Sequence, residues 1–208
     1  MDTGVIGTGR IGSTLARILV AAGHRVALAN ASGPRSLAPL LAELGPAATA
    51  GTPAEVAGAA ELLVLMVPFD SARGLLPAAA VRGKVLVDAM NAFTGPGRPR
   101  DLGGRCSSEF TADWYPGARL VKSLNTMHFV TLGSAGTTGK PEEERLAHYV
   151  AGDDPEAKEI VAGTVRGLGF AVLDTGSLHT GGILQQPGGP LFNRTLTAEQ
   201  ALAAIGAR

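Results

Sequence analysis

The sequence predicts an α/β fold built on a doubly wound, mostly parallel sheet, and three observations predict it. A glycine triplet, Gly7-Thr8-Gly9-Arg10-Ile11-Gly12, stands directly between a β-type run and an amphipathic helix and returns to a second β-type run. Short aliphatic runs then alternate with helix-length stretches through the first half, the pattern of a parallel sheet covered on both faces. The chain has 208 residues, enough to bury one core. It is therefore read as a single Rossmann-type domain over 1–208, with a small C-terminal α/β extension in the same domain.

The elements follow in order. Thr3 to Ile6 is the first strand. Arg10 to Ala22 is a helix with Ile11, Leu15, Ile18 and Leu19 on one face, and Gly23 stands where a helix end tolerates positive φ. Arg25 to Ala29 is the second strand. Pro34 to Leu44 is a helix with proline in its first turn. A weak extended segment at Ala48 to Ala50 and a short helix from Pro53 precede Leu62 to Val67, a strand apolar enough to lie at the sheet centre. A helix near Ser71 to Ala80 leads to the strand Lys84 to Asp88. A loop rich in Gly, Pro and Arg is expected over Ala92 to Arg105, then a helix over Ser107 to Tyr115 and a strand over Arg119 to Leu124. The strand Leu146 to Ala151, the helix Pro155 to Leu168 and the strand Phe170 to Asp174 form a further unit. Gly181 to Asn193 reads as loop, before a terminal helix from Ala198.

Composition removes several classes of function. Lys plus Arg and Asp plus Glu are both 18, so the chain lacks the basic excess of a nucleic-acid binder. The N-terminus enters the glycine loop without a signal-like segment, and the apolar run Leu62 to Phe69 is strand-sized, so a cytoplasmic location and no membrane partner are expected. A lone cysteine, Cys106, cannot form an internal disulfide; no Cys/His spacing suggests a metal, and the thiol reads as a small half-buried side chain.

The glycine triplet in this context points to a dinucleotide. Gly7 allows the tight turn, Gly9 lets the backbone approach a pyrophosphate, and Gly12 lets helix and strand pack closely. The phosphates are expected over the unpaired N–H groups of the helix N-terminus. The end of the second strand selects the cofactor, since an Asp or Glu there would bind the ribose hydroxyl of NAD. Ala29-Asn30-Ala31-Ser32-Gly33-Pro34-Arg35 contains no acid. Asn30 and Ser32 can donate hydrogen bonds to a 2′-phosphate, and Arg35 or Arg10 can supply charge. NADP, with NADPH as its reduced form, is the expected cofactor; the plain alternative leaves Arg35 as a solvated cation.

Ligands in such sheets lie beyond the carboxyl ends of the strands. That places Met66-Val67-Pro68, Ala89-Met90-Asn91 and Asn125-Thr126-Met127 around the nicotinamide half. Asn91 and Asn125 suit orienting hydrogen bonds better than proton transfer, because an amide has no useful pKa. Asp70, Lys122 and His128 are the nearby titratable groups, and none is assigned a catalytic role. His24 and His148 read as structural, and His179 stands on a segment of undefined direction. With few proton donors and no room for a large helical substrate domain, the acceptor should need little acid–base help. A flavin-like ring meets that condition, because hydride transfer between stacked planar rings depends on positioning.

At this point a resemblance adds to the residues. Ile6-Gly7-Thr8-Gly9-Arg10-Ile11-Gly12, Ala29 to Leu37, Val87-Asp88-Ala89-Met90-Asn91, Val121-Lys122-Ser123-Leu124-Asn125-Thr126, Ala151-Gly152-Asp153-Asp154-Pro155 and Gln186-Pro187-Gly188-Gly189-Pro190 resemble the NADPH-dependent deazaflavin reductases. That family interconverts NADPH and the reduced deazaflavin coenzyme F420. The resemblance implies that a deazaflavin covers the nicotinamide, bounded by Asn125, Thr126 and Met127 and by Pro187, Gly188 and Pro190. It also implies an Asn-Ser-Arg-Gly-Pro segment with its serine and arginine on the 2′-phosphate; here Ala31 and Ser32 occupy those two positions, leaving Arg10 and Arg35 to compensate. Three functions stay open on the sequence. The first is hydride transfer between NADP(H) and a deazaflavin or flavin. The others are NADPH-dependent reduction of a small carbonyl or imine, with Asp70, Lys122 or His128 as proton donor, and NADP sensing without turnover. A homodimer is expected from the family habit and from apolar surface around the terminal helix.

Overall fold

In the computed structural model, which describes residues 1–136 and 139–206, an eight-stranded sheet runs through the molecule. Its elements are β1 (Asp2–Ile6), α1 (Arg10–Ala21), β2 (Arg25–Ala29), α2 (Ala38–Leu44), β3 (Ala48–Ala50), α3 (Pro53–Ala59), β4 (Leu62–Leu65), α4 (Ala78–Val81) and β5 (Val85–Asp88). A hairpin of β6 (Phe93–Gly95) and β7 (Arg98–Pro99) follows, then α5 (Ser107–Trp114), β8 (Arg119–Lys122) and α6 (Phe129–Ser134). The chain continues through β9 (Ala147–Gly152), α7 (Pro155–Gly167), β10 (Ala171–Gly176), α8 (Leu178–Gln185) and α9 (Ala198–Gly206).

The strand order is β10-β9-β8-β5-β4-β1-β2-β3. Six strands, from β3 across to β8, are parallel, and the order reverses between β1 and β4, which opens a crevice at their carboxyl ends. The sheet is thus the α/β, Rossmann-type sheet expected. Leu62 to Leu65 is buried along its whole length, as a central parallel strand requires. Val64 packs with Leu15 and Leu19 of α1 and Val161 and Val165 of α7, whereas Leu63 and Leu65 pack with Val56 of α3 and Val81 of α4 on the opposite face.

β9 pairs antiparallel with β8, and β10 runs parallel to β9. These two strands therefore end at the edge away from the crevice. There Asp154 caps α7 and takes the Arg119 guanidinium at 2.6 Å, and Asp153 accepts the Leu178 N–H at the start of α8. From that edge α8 climbs beside β8 and delivers its last residue, Gln185, to the crevice.

Several expectations are corrected. The helix expected over Ser71 to Ala80 is only a 3-10 turn at Phe69–Ser71 and the short α4, separated by Gly74 at φ +72° and by Pro77. Backbone groups freed there are met by the Tyr115 hydroxyl, which donates to the Ala72 carbonyl and accepts from Leu76 N–H. The segment Ala92 to Arg105 contains the β6–β7 hairpin. Gly181 to Asn193 is not all loop, because α8 extends to Gln185 with Ser177 capping it. The strand from Arg119 stops at Lys122, since Leu124 adopts φ +61°, a costly conformation for a residue with a Cβ. The helix from Pro34 opens as a 3-10 turn over Pro34–Leu37. Cys106 is fully buried and not half-buried. Among the described residues no helix is long and apolar enough to cross a membrane, and no group of three or more His, Cys, Asp and Glu could hold a metal ion.

Candidate functional site

The crevice begins at the glycine loop. The Gly7 N–H bonds the Ala29 carbonyl at 2.8 Å and the Met66 N–H bonds the Ile6 carbonyl at 2.8 Å, so the loop is sewn between β2 and β4. Gly7 holds φ +105° with the Met66 carbonyl against the place a Cβ would take, and a Cβ on Gly12 would fall on the Gly7 carbonyl oxygen. A Cβ on Gly9 would meet nothing within 4 Å, so the face above the loop is open. Gly9 caps α1 without a side-chain hydrogen bond, and the first turn carries no acid. Uncapped N–H groups under an open face fit a pyrophosphate. Thr8 flanks this face, Ile11 packs against the core from the first turn of α1, and Arg10 is exposed, with its guanidinium Cζ 5.5 Å from the centre of the Phe129 ring.

At the end of β2, Asn30 donates through Nδ2 to Thr8 Oγ1 at 3.2 Å and to Ser36 Oγ at 3.0 Å. Ala31, Ser32 and Arg35 are exposed on the turn that follows. A cavity of about 320 Å³ opens here, lined by Thr8, Ser13, Asn30 and Ser36, and the Arg17–Glu43 ion pair at 2.5 Å lies along its outer wall. Ser36 and Arg17 were not among the expected residues. Ser36 stands one turn beyond Gly33, and its partnership with Asn30 depends on a 3-10 turn that the sequence does not fix.

The other strand ends meet as expected. Ala89 N–H bonds the Leu65 carbonyl at 3.1 Å and Ser123 N–H bonds the Asp88 carbonyl at 3.2 Å, which brings Met66-Val67-Pro68, Ala89-Met90-Asn91 and the residues after β8 to one edge. Asn91 and Asn125 lock together: Asn91 Nδ2 donates to the Asn125 carbonyl at 2.9 Å, and Asn125 Nδ2 donates to Asn91 Oδ1 at 3.0 Å. Asn125 Nδ2 also reaches the Gln185 carbonyl at 2.9 Å, which ties the segment Gln186-Pro187-Gly188-Gly189-Pro190 to this wall. Asn125 Oδ1 is buried without a partner. Thr126 and Met127 are buried beside it. Gln185 and Gln186, which accepts the Ser107 N–H at 3.0 Å, are wall residues that the loop reading of this segment left out.

The candidate proton donors divide. Lys122 is fully buried and turned inward, donating to the Met90 carbonyl at 3.3 Å and to Ser107 Oγ at 3.2 Å. Asp70 is held by Arg100 at 2.6 Å, beside a separate cavity of about 460 Å³ floored by Phe69, Phe110 and Trp114. His128 is exposed beyond Met127 and caps α6. His179 lies on α8 and meets Glu109 at 3.2 Å. Cys106 is buried against Lys122 and Ser108, and desolvation raises its thiol pKa, which suits an inert side chain. His148 lies in the core of the sheet, edge-on to Phe170, away from the crevice.

Comparisons with known proteins agree with this layout. The family described as NADP oxidoreductase, coenzyme F420-dependent, matches residues 2–92. Metalloreductase STEAP3 of Rattus norvegicus is 30% identical over 178 residues, covering 84% of this chain. The chain spans about a third of the length of that curated relative, 34%. Among solved structures, a hypothetical protein from Sinorhizobium meliloti is 34% identical, with a TM-score of 0.85 and 95% of each chain covered. A proposed F420-dependent NADP reductase from Arthrobacter sp. FB24 is 30% identical, with a TM-score of 0.71 and 86% of each chain covered. The chain belongs to the family of NADP oxidoreductases, coenzyme F420-dependent.

Proposed function

We propose that the chain, as one dinucleotide-binding unit over residues 1–208, transfers a hydride between NADP(H) and a deazaflavin or flavin acceptor. Coenzyme F420 is the deazaflavin that the family name points to. The observation that carries the reading is the wall at the carboxyl ends of β5 and β8. It consists of the Asn91–Asn125 lock and the Gln185 to Pro190 segment, while Lys122 and Asp70 are engaged elsewhere. Such a wall orients a planar ring and excludes water, and it offers little proton traffic. When bound, the dinucleotide supplies the hydride from its nicotinamide ring.

On this reading Gly7, Thr8, Gly9, Arg10, Ile11 and Gly12 hold the pyrophosphate, and Asn30, Ala31, Ser32 and Arg35 face the adenosine phosphate. Met66, Val67, Pro68, Ala89, Met90 and Asn91 line the nicotinamide side. Asn125, Thr126, Met127, Pro187, Gly188 and Pro190 face the acceptor. Preference for NADP over NAD rests on the absence of an acid after β2 and on the nearby exposed Arg35. The same reading includes a cytoplasmic enzyme without membrane or nucleic-acid partners. It also includes a homodimer through the α9 surface, where Leu202 is 52% exposed.

The test is anaerobic oxidation of NADPH with coenzyme F420, with FMN and with no acceptor. Saturable oxidation with either ring compound is the expected result. Tight NADPH binding without oxidation by either would sink the reading and direct attention to small carbonyl or imine substrates.

A further inference from the structure

His128 follows Asn125-Thr126-Met127 beyond the crevice end of β8 and is exposed. As the cap of α6 it accepts the Val130 N–H on Nδ1 at 3.4 Å. A neutral ring that accepts on Nδ1 carries its proton on Nε2. The ring also lies against Phe129 in a tilted contact, with centroids 4.4 Å apart and 45° between the planes. Phe129 in turn lies under the Arg10 guanidinium at 5.5 Å. Because Arg10 is the first residue of α1, the three side chains form a row from the glycine loop to the end of β8. The row combines aromatic faces with an exposed imidazole that follows the crevice end of β8.

We propose that His128 is an acceptor-specificity residue whose Nε2–H donates to a ring carbonyl oxygen of a planar, flavin-type acceptor at the crevice mouth. The inference rests on the flavin-type acceptor of the proposed function. A flavin or deazaflavin carries a pyrimidinedione edge with two carbonyl oxygens, and electron density on that edge rises when the ring takes up a hydride. An N–H donor there strengthens its bond as reduction proceeds. The cap and the Phe129 contact keep the ring in place.

Two variants separate the donor from the cap. H128S keeps an N-cap oxygen, because serine is a preferred capping residue, but removes the ring and its Nε2–H. H128F keeps an aromatic ring and removes both cap and donor. Binding of FMN and of coenzyme F420 is read by quenching of their fluorescence in the presence of NADP⁺, alongside the KM for NADPH and the thermal midpoint. The expected result is an acceptor Kd raised about 3- to 10-fold in both variants, the effect of one lost hydrogen bond. The KM for NADPH should move by less than about twofold, and H128S should unfold at the wild-type temperature. Unchanged acceptor affinity in H128S, with the wild type still binding, would overturn the proposal. Equal losses for acceptor and NADPH would assign the residue to the cofactor loop and also overturn it. A wild type that binds neither ring compound would overturn the acceptor reading itself, and the inference with it.

Discussion

Arg35 is exposed at the 3-10 turn after β2, close to the Asn30–Ser36 pair. If it meets the 2′-phosphate, R35A should weaken NADPH binding by about tenfold or more, the scale of a lost charge-assisted hydrogen bond, and leave NADH binding nearly unchanged. Titrations of both cofactors give the ratio. His148 poses a different question. Its two ring nitrogens are buried without partners, and burial lowers its pKa from 6.5 to about 4. Below pH 6.5 the unfolded chain takes up a proton that the folded chain refuses until about pH 4. The stability is therefore complete above 6.5 and lost as the pH falls through that window, by about 3 kcal/mol for this group. H148L removes the titration, so denaturant unfolding should show the stability gap between variant and wild type widening by about that amount between neutral pH and pH 4. The backbone roles of Gly7 and Gly12 and the positions of Asn91 and Asn125 at the strand ends were legible at this scale, because each follows a strand whose direction the pattern sets. Ser36 and His128 were not legible as a hydrogen-bonding partner and a cap, because a side chain on a short turn has no direction until the turn is folded.

The strongly patterned elements, β1 through β5 with α1 and α7 among them, lie within a residue or two of where apolar spacing put them, since each buries a face against its neighbours. α8 escaped because Leu178-His179-Thr180-Gly181-Gly182-Ile183-Leu184-Gln185 carries paired glycines and no clear polar face. It is held instead by the Ser177 cap and by packing against β9, β10 and α5. α6 escaped for the related reason that it is a six-residue helix packed on α1. The join between α8 and β8 runs through Asn125, whose Nδ2 bonds both Asn91 and Gln185. N125A should cost about 1–3 kcal/mol in urea unfolding. If the proposed acceptor site is right, it should also reduce kcat more than it raises the KM for NADPH, because it loosens the Asn91–Asn125 wall and leaves the glycine loop intact. Equal effects on both constants would place Asn125 in the cofactor half.

For the whole molecule, the six parallel strands and the reversal of order between β1 and β4 were legible, and the antiparallel entry of β9 was not. Among the described residues, the segment joining β8 to β9 carries only the six-residue α6 and a 3-10 turn, and pattern alone does not say which way the next strand runs. If NADPH binds the crevice as proposed, it should act as a stabiliser, because the strand ends that form the crevice belong to the folded sheet. At about 100 times its Kd it should add about 2.7 kcal/mol, a rise of roughly 5–10 °C in Tm for a chain of this size. NADH at the same concentration should raise Tm less.

The contact between Asn125 and Gln185 joins residues 60 positions apart, and the chain between them has to complete β9, α7 and β10 before α8 can climb back. The glycine loop, by contrast, draws on β1, α1, β2 and β4, all within the first third of the sequence. During refolding, loop closure of that length makes the wall joined by Asn125 and Gln185 a late arrival. Cofactor capture should then precede competence for hydride transfer: in a stopped-flow refolding experiment, NADPH fluorescence should recover in an earlier phase than catalytic oxidation.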